Sequence, residues 1–110
     1  MSGGLTTDFW VAAYMARLEQ AGIYAHLARR GERSAGAVAV KCATMDGRVT
    51  IYTRSYDADG QRIWAVHLDS VAESEAEASL ERQITFDRDL WIVEIEDPRG
   101  RHLLEEEGLG

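Results

Sequence analysis

The sequence predicts an α+β fold: an N-terminal helix, a four-stranded antiparallel meander, a second helix, a fifth strand and a short C-terminal helix, in a single two-layer domain. Three observations predict it. Leu90 to Val93 is apolar at four consecutive positions, rich in β-branched and aromatic types, and bounded by Asp87/Asp89 and Asp97-Pro98. That is the pattern of a strand covered on both faces inside a sheet. Asp46-Gly47 and Asp57-Ala58-Asp59-Gly60 separate alternating segments, and such turns fold strands back as hairpins. Phe9–Gln20 and Val71–Gln83 repeat apolar residues at helical spacing.

Taken in order, Thr7 or Asp8 caps the first helix and Gly22 stops it. Val11, Met15 and Leu18 form its apolar face, with Ala12 beside them; Trp10, Tyr14 and Arg17 make a neighbouring, partly exposed stripe. Ile23 to Arg30 alternates as a strand, and Gly31 to Gly36 is a loop. Ala37 to Thr44 is the second strand, and its alanines predict close cover by a helix. Asp46-Gly47 predicts a two-residue turn with positive φ at both positions, leading into a third strand, Arg48 to Tyr56. Gln61 to Leu68 is the fourth. Ser70 caps the second helix, with Glu73 completing a capping box. Ala72, Ala76, Leu80 and Ile84 form its narrow apolar stripe. After the fifth strand, Asp97 as cap and Pro98 at the first helical position predict a last helix over Arg99 to Glu107. The chain is one domain, with flexible ends at 1–6 and 108–110.

A length of 110 residues suffices for one core without disulfides. The single cysteine, Cys42, has no internal partner and favours a reducing, cytoplasmic setting. No basic-then-apolar opening predicts export, and no apolar run predicts a membrane span. The net charge of −7 argues against a protein that holds nucleic acid through bulk charge. Residues 1–68 carry 8 basic and 6 acidic side chains, whereas residues 69–110 carry 4 and 13. The acidic second half is either a solvated surface or a docking face for a basic partner.

Motifs for common chemistries are missing: no glycine-rich phosphate loop, nucleophile elbow, paired-histidine zinc motif or cysteine cluster occurs. No cofactor is therefore expected. Asp87, Asp89, Glu94 and Glu96 offer hard oxygen ligands for Mg²⁺ or Ca²⁺; the simpler reading is a polar turn followed by glutamates paired with Arg54 or Arg62, and no metal site is expected. His26 and His67 lie on strands, where a half-buried, hydrogen-bonded histidine is the simpler reading than a general base. His102 is expected exposed. Cys42 reads as a buried structural thiol. Arg29, Arg30 and Arg33 cluster around a loop and face either solvent or the acidic tail Glu105 to Glu107.

The most informative pattern lies on the third and fourth strands. Thr50, Tyr52, Arg54 and Tyr56 share one face; Arg62, Trp64, Val66 and Leu68 share another. If the faces coincide, they make an aromatic–basic platform suited to anionic ligands; the alternative is ordinary cross-strand packing. Tyr52, Arg54, Arg62, Trp64 and Glu94 are the candidate ligand- or partner-binding residues, and no catalytic residue is assigned.

Three stretches also resemble a known family: Phe86-Asp87-Arg88-Asp89-Leu90-Trp91-Ile92-Val93-Glu94, Phe9-Trp10-Val11-Ala12-Ala13, and Gly31-Glu32-Arg33-Ser34-Ala35-Gly36-Ala37. Together they resemble the bacterial domain-of-unknown-function family 1491. Arg88 departs from that family's Phe-Asp-Pro-Asp step, and Glu32-Arg33-Ser34 departs again. The resemblance implies a small, cytoplasmic, mostly alphaproteobacterial protein with no assigned activity. The function expected is a non-catalytic interaction module for a protein partner; the alternative is a small anionic-ligand binder or enzyme using the aromatic–basic face. Trp10, Trp64, Trp91, Phe9 and Phe86 are expected in the core or a subunit contact. An uncovered sheet face and an open edge would favour a homodimer.

Overall fold

Helices α1 (Thr7–Gln20) and α2 (Glu73–Phe86) enclose a sheet of β1 (Tyr24–Arg29), β2 (Val38–Ala43), β3 (Arg48–Tyr56), β4 (Arg62–Ala72) and β5 (Trp91–Glu96). The computed structural model describes residues 5–106. Of the ends expected to be flexible, 1–4 and 108–110 lie outside the described residues; Leu5 and Thr6 precede α1 as exposed, non-helical chain.

The sheet order is β1-β5-β2-β3-β4. β5 runs antiparallel to β1 and parallel to β2, while β2, β3 and β4 form an antiparallel meander. The meander therefore has three strands rather than four, and the sheet is mixed. The reason lies in the strand faces. Tyr24, His26 and Ala28 are exposed, so β1 tolerates an edge. In β5, Trp91, Ile92, Val93 and Ile95 are all buried, so it takes an interior place. α2 is the crossover that lets β5 return parallel to β2.

Cover comes from both sides, giving three layers instead of the expected two. Val11, Tyr14 and Leu18 pack on Val38, Val40, Trp91, Val93 and Ile95. On the opposite face, Ala76 and Leu80 pack on Ala39, Val49, Ile51 and Ile92. The premise of an uncovered face falls; β1 and β4 remain as open edges. Tyr14 is fully buried, not partly exposed, because its hydroxyl donates to the His102 carbonyl at 2.7 Å. Phe9 and Phe86 lie at the surface, the latter 89% exposed.

Local chemistry explains the other departures. Gly100 adopts φ 68 immediately after Asp97-Pro98-Arg99, and its N–H donates to Asp97 O at 2.9 Å. This closes a turn, so the last helix does not form, and 104–106 is itself a turn. Asp97 caps no helix. It grips the Arg101 guanidinium through both oxygens, at 2.8 and 3.1 Å. Leu104 then buries against the α1 side of the core. The β2–β3 turn is longer than two residues: positive φ falls on Met45 and Gly47, while the Asp46 carboxylate accepts from the Arg48 N–H. Ser70 is not a cap. It sits inside β4 at φ 53, and Ala72 takes the cap position. Neither Thr7 nor Asp8 caps α1; Thr6 holds that position, and the Thr7 and Asp8 N–H groups donate to Ser34 O and Arg33 O.

One irregularity decides which side chains meet. Tyr52 pairs with Val66, but Ile51 pairs with Leu68. The extra residue is His67, and this bulge turns Leu68 to the α2 face. The ladders also end unevenly. The last β2–β3 pair is Ala39↔Thr53, whereas β3–β4 pairing continues to Tyr56↔Arg62. The β3–β4 hairpin thus overhangs the start of β2.

Candidate functional site: an aromatic–basic pocket at the hairpin overhang

The overhang is walled by a loop that cannot easily move. The Trp91 indole N–H donates to Glu32 O at 2.7 Å, and Arg30 lies 5.2 Å from the ring centroid. At Gly31 a Cβ would sit 2.1 Å from Asp89 O; at Gly36 it would sit 2.6 Å from the same atom. Only glycine lets the backbone approach Trp91 this closely. The Glu32 carboxylate accepts from the Ser34 and Ala35 N–H groups at 2.9 and 2.8 Å. Thr7 Oγ1 donates to Gly36 O at 2.9 Å, tying the loop to α1.

Between this loop, the start of α1 and the overhang lies a cavity of about 480 Å³, lined among others by Trp10, Ser34, Arg54, Tyr56, Arg62 and Trp64. Arg54 pairs with Trp64 across the β3–β4 ladder, and its guanidinium carbon lies 4.7 Å from the Trp64 ring centroid. Trp10 stands 5.5 Å from Trp64 and 4.9 Å from Tyr14, so the aromatic wall continues into the core. Burial lowers the Arg54 pKa from its ordinary value, and the charge of Arg62 lowers it further. An anion placed between them would be attracted to both.

Leu68 apart, the two aromatic–basic faces coincide, and they face α1. Of the five predicted residues, Arg54, Arg62 and Trp64 meet in this pocket. Tyr52 lies on the same face but deeper, its ring 4.5 Å from His102. Glu94 is on the opposite face. There it binds Lys41 at 3.2 Å, together with Glu73 at 2.7 Å and Glu77 at 2.5 Å. The expected pairing of Glu94 with Arg54 or Arg62 is replaced by this cluster. Lys41 is buried at 3% exposure. Burial pulls its pKa down, but the three carboxylates outweigh that and raise it. It stays an ammonium and pins α2 to the sheet centre.

The other titratable groups have local duties. His67 Nε2 lies 3.3 Å from the Ser79 hydroxyl, linking β4 to α2. His26 approaches Glu94 at 3.8 Å. His102 is half-buried rather than exposed, and its Nδ1 accepts from the Leu104 N–H at 3.0 Å. Burial pushes the Cys42 thiol up to about 11, with the Asp97 charge adding to it, so little thiolate forms near neutrality. Asp87 accepts from the Asp89 N–H in a polar turn. Among the described residues, no three His, Cys, Asp or Glu side chains converge as metal ligands. Arg29 donates to Arg88 O and Leu90 O, and Arg33 pairs with Asp8. It is Arg17 that meets the acidic tail, through Glu106 at 3.1 Å.

Sequence reasoning missed two contributors. The loop residues Ser34 to Ala37 form the pocket lip; the paired glycines of Gly31-Glu32-Arg33-Ser34-Ala35-Gly36 were the available signal. Lys41 was the other, marked as the only lysine beside eleven arginines.

Fold and site together define a three-layer α+β domain with an aromatic–basic pocket at one end of a mixed sheet. The chain belongs to the DUF1491 family, described as proteins of unknown function, which it matches over residues 5–105. It is similar to the crystal structure of a DUF1491 family protein from Caulobacter crescentus CB15, with 41% identity and TM-score 0.85, covering 94% of this chain and 97% of that one. An NMR structure of a DUF1491 family protein from the same organism gives 42% identity and TM-score 0.81, covering 93% and 94%. The solution structure of Atu0922 from A. tumefaciens gives 33% identity and TM-score 0.73, covering 84% and 85%. Among curated proteins there is no match.

Proposed function

We propose that this protein is a non-catalytic binding module whose pocket receives an anionic group, carboxylate or phosphate, of its ligand or partner. The observation that carries this reading is the convergence of Arg54 and Arg62 beside Trp64 in one concave cavity. Guanidinium groups bind such anions through paired donors, and an indole wall lowers the competition from water. The described lining side chains are aromatic, aliphatic, hydroxyl or basic; they suit holding an anion better than moving a proton. The residues that would have joined an acid–base centre here, His67 and Glu94, face α2. A cytoplasmic setting belongs to the same proposal, supported by the single, buried Cys42. Among the described residues no helix is long and apolar enough to cross a membrane. A homodimer through the open edge of β1 or β4 is also proposed, and sedimentation velocity over a concentration series tests it.

A thermal-shift screen against dicarboxylates, phosphate and nucleotides tests the pocket. A ligand at a hundredfold excess over its dissociation constant stabilises by about 2.7 kcal/mol. The expected result is a specific shift lost in Arg54→Ala and in Arg62→Ala. A flat screen, or a shift that both variants retain, contradicts the proposal.

A further inference from the structure

The register of the β3–β4 hairpin sets four pocket side chains in a fixed pattern. Arg54 pairs with Trp64, and Tyr56 pairs with Arg62. Residues two apart on a strand share a face, so the four stand on the α1 side as a two-by-two block. The two cations occupy one diagonal and the two rings the other. Directly opposed residues lie about 5 Å apart and diagonal neighbours about 7–8 Å, so one small molecule can touch all four. The rings differ in what they already meet. Trp10 stacks on Tyr14 at 4.9 Å and tilts against Trp64 at 5.5 Å, and the Arg54 guanidinium lies over Trp64 at 4.7 Å. Tyr56 lines the same cavity yet is 67% exposed.

From this arrangement we infer that the ligand is a small molecule with a flat aromatic ring joined to its anionic group, the anion lying between Arg54 and Arg62 and the ring on Tyr56. The inference rests on the anion-pocket reading above and adds the body of the ligand to it. Size comes first. The cavity of about 480 Å³ lies in the small-molecule range of about 300–1,000 Å³, far more than a bare carboxylate or phosphate fills. Position comes second. An anion that touches both arginines on their diagonal lies beside the rings of the other diagonal. Shape comes third. An exposed tyrosine offers one flat face and no deep slot. An aliphatic body gains little there, whereas a planar ring gains offset stacking and presents its face to a guanidinium. An aromatic carboxylate and a nucleoside phosphate both carry this chemistry. A nucleic acid does not suit it, because the chain's net charge of −7 repels a polyanion.

The test is an amide and indole NMR titration of the full chain at constant ionic strength, with two pairs of probes. AMP is paired with ribose 5-phosphate, and phenylacetate with cyclohexylacetate. Each pair shares its anion and differs in the aromatic ring. AMP should bind about tenfold more tightly than ribose 5-phosphate, or phenylacetate about fivefold more tightly than cyclohexylacetate. The pair that shows the preference tells whether phosphate or carboxylate is the anion received. Tyr56→Phe should keep the preference and Tyr56→Ala should abolish it, while Arg62→Gln should weaken every probe that binds. If the probes bind in an Arg62-dependent way but the members of each pair bind equally, the aromatic-ligand inference fails and the anion pocket stands. A preference that survives Tyr56→Ala also overturns the inference. If no probe binds, both fail.

Discussion

Under α1 the sheet is closed by rings and aliphatic chains; under α2 it is closed around a buried charge. The α1 side holds Trp91, Tyr14 and Leu18 at 1% exposure or less, with Tyr14 and the Trp91 indole each satisfied by a backbone carbonyl. The α2 side places Lys41 at its centre, held by Glu73, Glu77 and Glu94. The difference follows from the helices. α1 brings Val11, Tyr14 and Leu18 to the sheet, whereas α2 is glutamate-rich and brings mainly Ala76 and Leu80. The α2 side has the smaller buried apolar cluster and holds the charge cluster at its centre. The pocket lies at the hairpin overhang, against the start of α1.

The largest expected effect is on the aromatic side. Gly31→Ala would place a methyl group 2.1 Å from Asp89 O and 2.5 Å from Trp91 Cδ1. It should cost about 3 kcal/mol in urea unfolding, the upper end for overpacking. A loss under 1 kcal/mol would mean that the loop does not grip Trp91. On the charged side, Lys41→Ala should cost about 2 kcal/mol. Breaking a buried pair costs about 3–5 kcal/mol, but Glu73 and Glu77 are more than half exposed, which reduces the figure. The double variant Lys41→Met/Glu94→Gln should be less damaging than Lys41→Met alone, since it removes a stranded carboxylate. Additive losses would contradict the cluster.

Smaller effects come from the tail. Tyr14→Phe removes the bond to His102 O and should cost about 1 kcal/mol. His102 gives a pH signature. Burial lowers its pKa below the ordinary value of 6.5, opposed by Glu105, and the neutral ring accepts from the Leu104 N–H. The unfolded chain then binds the proton more readily. The stability from the neutral ring is complete above pH 6.5 and is lost as pH falls through the folded value, by at most about 1.4 kcal/mol per pH unit. His102→Gln should flatten that part of the pH profile; an unchanged profile would place the titrating group elsewhere.

Patterns confined to one strand or helix are legible in the sequence: the buried run of β5, the stripe Ala76–Leu80–Ile84 and the Asp57–Gly60 turn. Strand order is not, because inserting β5 between β1 and β2 depends on all five strands competing for neighbours. The shared face of Arg54 and Trp64 is visible in the alternation. Leu68 departs from it because the bulge at His67 shifts the register by one residue. Glu94 lies on the α2 face, away from Arg54, because alternation fixes which residues share a face, not which helix covers that face. Pro98 reads as a helix start, but Gly100, two residues on, favours a turn.

The proposed pocket would receive charge at the overhang while the aromatic core stays sealed. The three tryptophan indoles report on it separately. Inorganic phosphate and succinate should be titrated at constant ionic strength, following all three indole N–H resonances. Saturable shifts of Trp64 and Trp10, lost in Arg54→Ala, are expected, with the Trp91 indole unmoved on its bond to Glu32. Linear drift of all three, or shifts at Trp91 alone, would contradict it.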